Sequence, residues 1–288
     1  MKIVLQKILD GLRFALRDPK IRVGMLLLIL LFAFGIIGPH LWDVRLARIG
    51  MGPLSQPPSA AHPLGTDATG RDVLALLIVG VPNTLKIGLI AGGIGLSIGM
   101  VLGLLAGYTG GIVDTIIHMA ADILLTIPLL AVLIVIASYV RVVTVEMMAV
   151  IVACLSWAGP TRTVRGQVLS LRDRAFVEIA QLSGLNQFEI IFQELLPNMI
   201  AFIAASFVSA VSGGILATIG VEVLGLGPQR IPTLGGTLHW ALNHAAVIRG
   251  LWWWWVPPVI VLVMIFVGLL LISMGLDEIA NPRLRKGA

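Results

Sequence analysis

Four stretches of this chain, Val23 to Trp42, Asn83 to Ala106, Met199 to Gly220 and Trp252 to Met274, each run for about twenty residues with at most one charged side chain. A helix of that length and apolarity crosses the hydrocarbon core of a bilayer, and one soluble domain has no interior large enough to bury four of them. Two further runs, Val113 to Ala137 and Val143 to Trp157, bring the expected crossings to six. With 58% of its 288 residues apolar and only 12% charged, the chain is read as an all-α, six-span membrane protein and not as a soluble enzyme. The net charge of +5 does not point to nucleic acid, because the basic residues are scattered between apolar runs. A lone cysteine, Cys154, rules out an internal disulfide.

The polar segments set the orientation. Residues 1–22 interleave Lys2, Lys7, Arg13, Arg17, Lys20 and Arg22 with leucines and isoleucines at helical spacing, which predicts an amphipathic cytoplasmic helix broken at Asp18-Pro19, ahead of an uncleaved first span. Residues 43–82 carry Pro53, Pro57, Pro58, Pro63 and Pro82 and the polar string Gly65 to Asp72, so they are expected to form an outer loop, with a short helix from about Arg71. Residues 161–198 form the longest charged stretch and are expected in the cytoplasm. With both termini inside, thirteen of the 20 basic residues fall on the cytoplasmic side, as the positive-inside bias requires. Within the second span, Gly95, Gly99, Gly103 and Gly107 recur every fourth residue, a row that lets another helix approach closely. Trp252 to Trp255 are expected to anchor the outer boundary of the sixth span, with a sugar-stacking platform as the alternative.

Catalytic patterns find no support. Gly95-Leu96-Ser97-Ile98-Gly99 has the spacing of a nucleophile elbow but lies inside an apolar helix, where those glycines serve packing. None of the five lysines follows a glycine, so the chain has no phosphate-binding Gly-Lys-Ser/Thr, and any ATP dependence belongs to another subunit. His239 and His244 lack the i, i+4 spacing of paired metal ligands. Asp114, His118 and Asp122 recur every four residues in the third span, and are read as interfacial, capping or paired groups rather than a proton relay.

The informative segment is 161–198. Val177 to Gly184 is helix-compatible with Gly184 as its stop, and a second short helix is expected from about Gln187 to near Pro197. Such a two-helix unit projecting from the membrane suits docking on a soluble partner and relaying its movement to the spans. The ordinary alternative is a plain connecting loop.

The spacing of Glu178, Ala180, Gly184, Leu196 and Pro197 resembles the EAA motif of permease subunits of binding-protein-dependent ABC importers. The likeness extends to the shorter permease of the dipeptide and oligopeptide subfamily. It covers His62-Pro63-Leu64-Gly65-Thr66-Asp67 with Gly70-Arg71-Asp72, then Ala106-Gly107-Tyr108 with Gly110-Gly111, Asp114, Asp122 and Pro128. It continues through Arg165 to Leu169, Leu224 to Gly227 and Asn281-Pro282-Arg283. Ile179 stands where the motif has its second alanine, Glu194 replaces the usual isoleucine, and Met119 stands where many relatives have arginine. The resemblance implies the type I ABC importer membrane domain, placed in the cell inner membrane. It also implies a homologous second permease, two ATPase subunits that hold the ATP and magnesium, and an extracytoplasmic solute-binding protein. No cofactor is implied in this chain. Arg174, Glu178, Ile179, Ala180, Gly184, Leu196 and Pro197 become the expected coupling residues, and peptides the expected cargo, with oligosaccharides or nickel as alternatives. A secondary transporter is the competing class.

Overall fold

The computed structural model describes residues 17–139 and 143–280. Residues 1–16 of the amphipathic segment, Arg141 and Asn281-Pro282-Arg283 lie outside the described residues. The described residues are helix, turn or loop, with one isolated bridge between Thr66 and Asp72.

The first helix, α1 (Pro19–Leu41), starts at Pro19 rather than Val23. The Asp18 carboxylate accepts the Lys20 N–H at 2.8 Å, and Pro19 occupies the first turn, where no N–H is needed. After a 3-10 turn (Val44–Ala47) and a loop, α2 (Val73–Thr109) runs unbroken for 37 residues. It passes through Pro82, so the polar segment closes at residue 72 and not at 82. Pro82 costs one backbone hydrogen bond, but its ring packs into the space left by Gly35 of α1, where a Cβ would lie 2.9 Å from it.

The expected third span is broken. α3 (Gly111–Thr126) and α4 (Leu129–Tyr139) meet at 78°, because Pro128 forces Ile127 into an extended conformation, φ −83° and ψ 128°. α5 (Val145–Leu155) and α6 (Ala158–Arg172) are likewise bent by 44°. The segment expected as a loop from residue 161 is therefore helical through Arg172. α7 (Ala175–Leu182), α8 (Ile200–Val223), α9 (Leu234–Asn243) and α10 (Trp252–Ala280) complete the order. Four helices, α1, α2, α8 and α10, are long and apolar enough to cross a membrane, and the count reaches six if each bent pair is one crossing.

α2 is the central element. One core joins Leu77, Val81 and Leu85 of α2 to Leu31 of α1, Val211 and Ile215 of α8 and Leu262 and Ile265 of α10. A second joins Ile87 and Ala91 to Leu133 of α4, Val145 to Val152 of α5 and Val221 of α8. The helices close on small residues: a Cβ on Gly92 would lie 2.6 Å from the Val211 nitrogen, and one on Gly24 2.5 Å from the Gly268 carbonyl oxygen. On the outside, Leu26, Ile29 and Ile36 of α1 and Ile260, Val263 and Leu270 of α10 stand open, as a bilayer requires of lipid-facing side chains.

The loop before α2 is built by its own polar residues. Asp72 is buried; it caps α2 through the Ala75 N–H at 2.8 Å, accepts from Trp42 Nε1 at 3.2 Å and meets His62 Nδ1 at 2.7 Å. Asp67, also buried, accepts from Thr69 and Arg71 backbone N–H groups and pairs with Arg71 Nε at 2.6 Å. Farther out, the Arg45 backbone N–H donates to exposed Asp43 and holds its carboxyl below the usual carboxylate range.

The tryptophan run departs from its expected role. Successive residues of a helix face different directions, and the first turn of α10 lies against this loop. Trp254 is fully buried with Val73, Ala241 and Ala246, and Trp253 donates Nε1 to the Thr66 carbonyl at 3.1 Å. Trp252 stays largely open, so the run as a whole is a clasp on the loop and not a four-ring interfacial anchor.

Candidate functional site

The segment from Arg174 to Asn198 folds as a hairpin whose every turn has a local cause. Arg174, extended and exposed, precedes α7 and donates Nε to the Ser170 carbonyl at 3.3 Å. α7 is short and two-faced: Val177 and Ala180 are buried, and Glu178 and Ile179 point out. Its end is a Schellman motif. The Leu185 N–H reaches the Ala180 carbonyl at 3.2 Å and the Gly184 N–H reaches Gln181 at 3.0 Å, with Gly184 at φ +82°. Any other L residue there is strained, although open space surrounds the position.

Asn186 restarts the helix. It forms a capping box with Glu189, its Oδ1 accepting the Glu189 N–H at 3.0 Å while its own N–H donates to Glu189 Oε2 at 2.7 Å. An α turn (Gln187–Glu189), a π turn (Ile190–Leu195) and a final α turn (Leu196–Asn198) follow without interruption. The wider π turn, with the Leu196 N–H bonded to the Ile191 carbonyl, leads into that last turn, which carries Pro197 near its start, and the second arm ends at Asn198, close to Pro197 as expected.

The hairpin has a buried side and an apolar open side. Val177, Ala180, Ile190, Ile191 and Leu195 share one core with Leu104 of α2 and Val164 and Val168 of α6, and Leu196 and Leu185 pack against it. On the open side Ile179, Leu182, Phe188 and Phe192 are all more than 60% exposed. Sequence reasoning passed over Leu182, Phe188 and Phe192. The i, i+3 and i, i+4 spacings were available as a signal, but they do not say which face is left uncovered.

The seat of the hairpin is the seam between α2 and α6. Cβ atoms built on Gly95, Gly99, Gly103 and Gly107 would lie 3.1 Å from Ser156, 2.6 Å from Pro160, 2.7 Å from the Thr161 carbonyl and 2.8 Å from Val168, respectively. The glycine row of α2 therefore faces the α5–α6 bend and α6 itself. Polar pairs tie α3 to α6 beside this seam, and one hydrogen bond crosses the seam itself. Arg165 of α6 makes a two-pronged pair with Asp114 of α3, the Nη2 to Oδ2 distance being 2.6 Å. His118 meets Asp122 at 2.8 Å, with Arg162 at 3.9 Å from the same carboxylate. Arg172 Nη1 donates to the Gly107 carbonyl at 3.2 Å, a cation on the C-terminal turn of α2. The Asp114, His118 and Asp122 row is thus engaged within the chain.

One acid escaped the sequence reading. Glu222, on the last turn of α8, is 1% exposed; its Oε2 lies 2.3 Å from where a Cβ on Gly235 would be. Glycine at 235 makes room for it. Its position near the end of an apolar run, just beyond Gly220, hid it. Among the described residues no group of three or more His, Cys, Asp or Glu is placed to hold a metal ion.

Comparison with known proteins agrees with this architecture. A family model described as "Binding-protein-dependent transport system inner membrane component" matches residues 99–286. The chain is 30% identical over 282 residues to the dipeptide transport system permease protein DppC of Bacillus subtilis, covering 96% of this chain and 86% of that protein. It is 27% identical over 262 residues to the oligopeptide transport system permease protein OppC of Lactococcus lactis subsp. cremoris, covering 91% and 87%. It is 31% identical over 235 residues to the glutathione transport system permease protein GsiD of Pectobacterium atrosepticum, covering 81% and 76%. A match across well over half of the sequence, on helices with this composition and order, settles its kinship: the chain belongs to the family of inner membrane components of binding-protein-dependent transport systems.

Proposed function

We propose that this chain is the permease subunit of an ATP-driven importer of peptides, crossing the membrane six times and working beside a second permease, two ATPases and an extracytoplasmic solute-binding protein. The observation that carries the reading is the hairpin Arg174–Asn198, rooted by one side in the α2–α6 core and offering four open apolar side chains on the other. An exposed apolar ridge on a rigid base fits the groove of a soluble motor subunit, and the packed root passes its displacement to α2 and α6. The relatives carry peptides by name, dipeptides, oligopeptides and glutathione, which favours peptide cargo over sugars or nickel.

A cleft of about 390 Å³ lined by Gly159, Pro160, Thr163, Ser206, Ser209 and Asp277 is read as one half of the path, to be closed by the second permease. The chain does no bond chemistry in this scheme; it has two packed arrangements, and motor and binding protein act by stabilising one over the other.

The test is uptake and ATP hydrolysis measured together in proteoliposomes holding the whole importer. Glu178→Arg reverses an exposed charge on α7, and Gly184→Pro breaks the φ +82° turn. Both variants are expected to assemble in the membrane and to hydrolyse ATP without accumulating peptide. Normal uptake by both refutes the coupling role.

A further inference from the structure

At the end of the molecule away from the hairpin, beside the start of α2, an open cleft of about 400 Å³ lies between the 3-10 turn, residues 228–233 and the first turns of α9. That volume is in the range of small-ligand sites. Its wall carries three guanidinium groups, Arg48, Arg71 and Arg230, and among the described residues no aspartate or glutamate lines it. Arg48 and Arg230 are exposed at the rim. Arg71 is different: only 6% exposed, it spends Nε on Asp67 and lays its guanidinium 5.2 Å from the centre of the Trp240 ring, while its buried Nη2 has no acceptor among the described residues. Unused donors on a buried cation are costly, so an acceptor arriving there gains more than one binding at the surface. Of the acids close by, Asp67 is paired with Arg71, while Glu222 is buried with neither carboxylate oxygen hydrogen-bonded among the described residues. Asp67 holds Arg71 from outside the lining, and Glu222 lies under Gly235, also outside it.

The rest of the wall selects among anions. Val44, Ala47, Ile49, Val79, Ile231 and Trp240 are apolar, which suits an anionic group carried on an apolar body better than bare phosphate. We propose that this cleft is a binding site for the carboxylate of a small organic acid of peptide size, the acid end meeting Arg71, Arg48 and Arg230 and the body lying on the apolar wall. The choice of a peptide as probe rests on the importer reading above; the site itself needs no ATPase.

The experiment holds the purified full-length chain in lipid nanodiscs of phosphatidylcholine and measures equilibrium binding of radiolabelled Ala-Leu-Ala. Saturable binding is expected, with the C-terminal amide of the same tripeptide competing at least about tenfold more weakly than the free acid. Arg230→Gln and the Arg48→Gln, Arg230→Gln pair, which leave the Asp67–Arg71 ion pair intact, are expected to weaken binding by about tenfold or more. Equal competition by acid and amide, unchanged binding in the rim variants, or no saturable binding overturns the proposal. Displacement of the peptide by phosphatidylglycerol in the discs overturns it too, because the cleft then belongs to a lipid headgroup. Loss of coupling in Glu178→Arg leaves this result untouched, so the two readings fail separately.

Discussion

Placing a methyl group on the α2–α6 seam tests whether the glycine row holds these helices at their observed separation. On Gly99 a Cβ would lie 2.6 Å from Pro160 Cβ and 2.8 Å from both the Thr161 nitrogen and the Trp157 oxygen; on Gly103 it would lie 2.7 Å from the Thr161 oxygen. Most of these neighbours are backbone and cannot turn aside. Non-bonded carbons settle near 3.5–4.0 Å, so α2 and α6 must part by roughly 1 Å at each site. Overpacking of this kind costs about 1–3 kcal/mol. Two helical glycines supply the control. Gly93 of α2 has only Phe207 at 3.8 Å, and Gly166 of α6 has nothing within 4 Å. There alanine should be neutral or stabilising by up to about 1 kcal/mol, because it is the better helix former. At roughly 2–4 °C per kcal/mol for a chain of this size, Gly99→Ala and Gly103→Ala should melt about 5–10 °C below Gly93→Ala and Gly166→Ala. The midpoint is read by heating the detergent-solubilised chain and recording the monodisperse fraction on size exclusion. If all four variants melt together, the seam is not close-packed and its part in carrying hairpin movement loses its basis.

Other perturbations test other joints. Asp72→Ala removes the cap of α2 and strands Trp42 and His62, and should cost about 3 kcal/mol and open residues 43–72 to protease; Asp72→Asn, which keeps a capping oxygen, should cost less. Asp114→Asn and Arg165→Gln should each lose about 1–3 kcal/mol by thermal unfolding, with a coupling term in the double-mutant cycle; strict additivity disproves the pair. Trp254→Ala should destabilise by about 3–5 kcal/mol and Trp252→Ala by far less, and equal effects would restore the anchor reading for the whole run.

Much of this was legible because it is local. Apolar run length gave the four long helices, and turn chemistry gave the hairpin: Gly184 to end one arm and a second arm from about Gln187, whose cap, Asn186, went unread. What was not legible depends on a distant neighbour. Pro82 and Pro128 look alike in sequence, yet the first sits inside α2 because Gly35 on another helix receives its ring, and the second breaks a span. The tryptophan run reads as an interfacial belt until the loop it covers is in place. The glycine row announces a close partner without saying that the partner is the charged helix Ala158–Arg172, whose arginines find Asp114, Asp122 and the end of α2. Arg71 is the same lesson at the proposed anion cleft: only burial reveals its unspent donors.

At 1.5 Å per residue the 37 residues of α2 extend about 55 Å, well beyond the roughly 30 Å of a hydrocarbon core. One tip is pinned by Asp72 to Trp42 and His62, and the other, through Leu104, is bedded beneath the hairpin. In the proposed importer, a continuous rod of that length would shorten the route for mechanical signals: a tilt imposed at either tip would reach the opposite one without passing through a loop. Pro82, where the rod lacks one backbone hydrogen bond, is then a place to tune how faithfully its two ends hear each other.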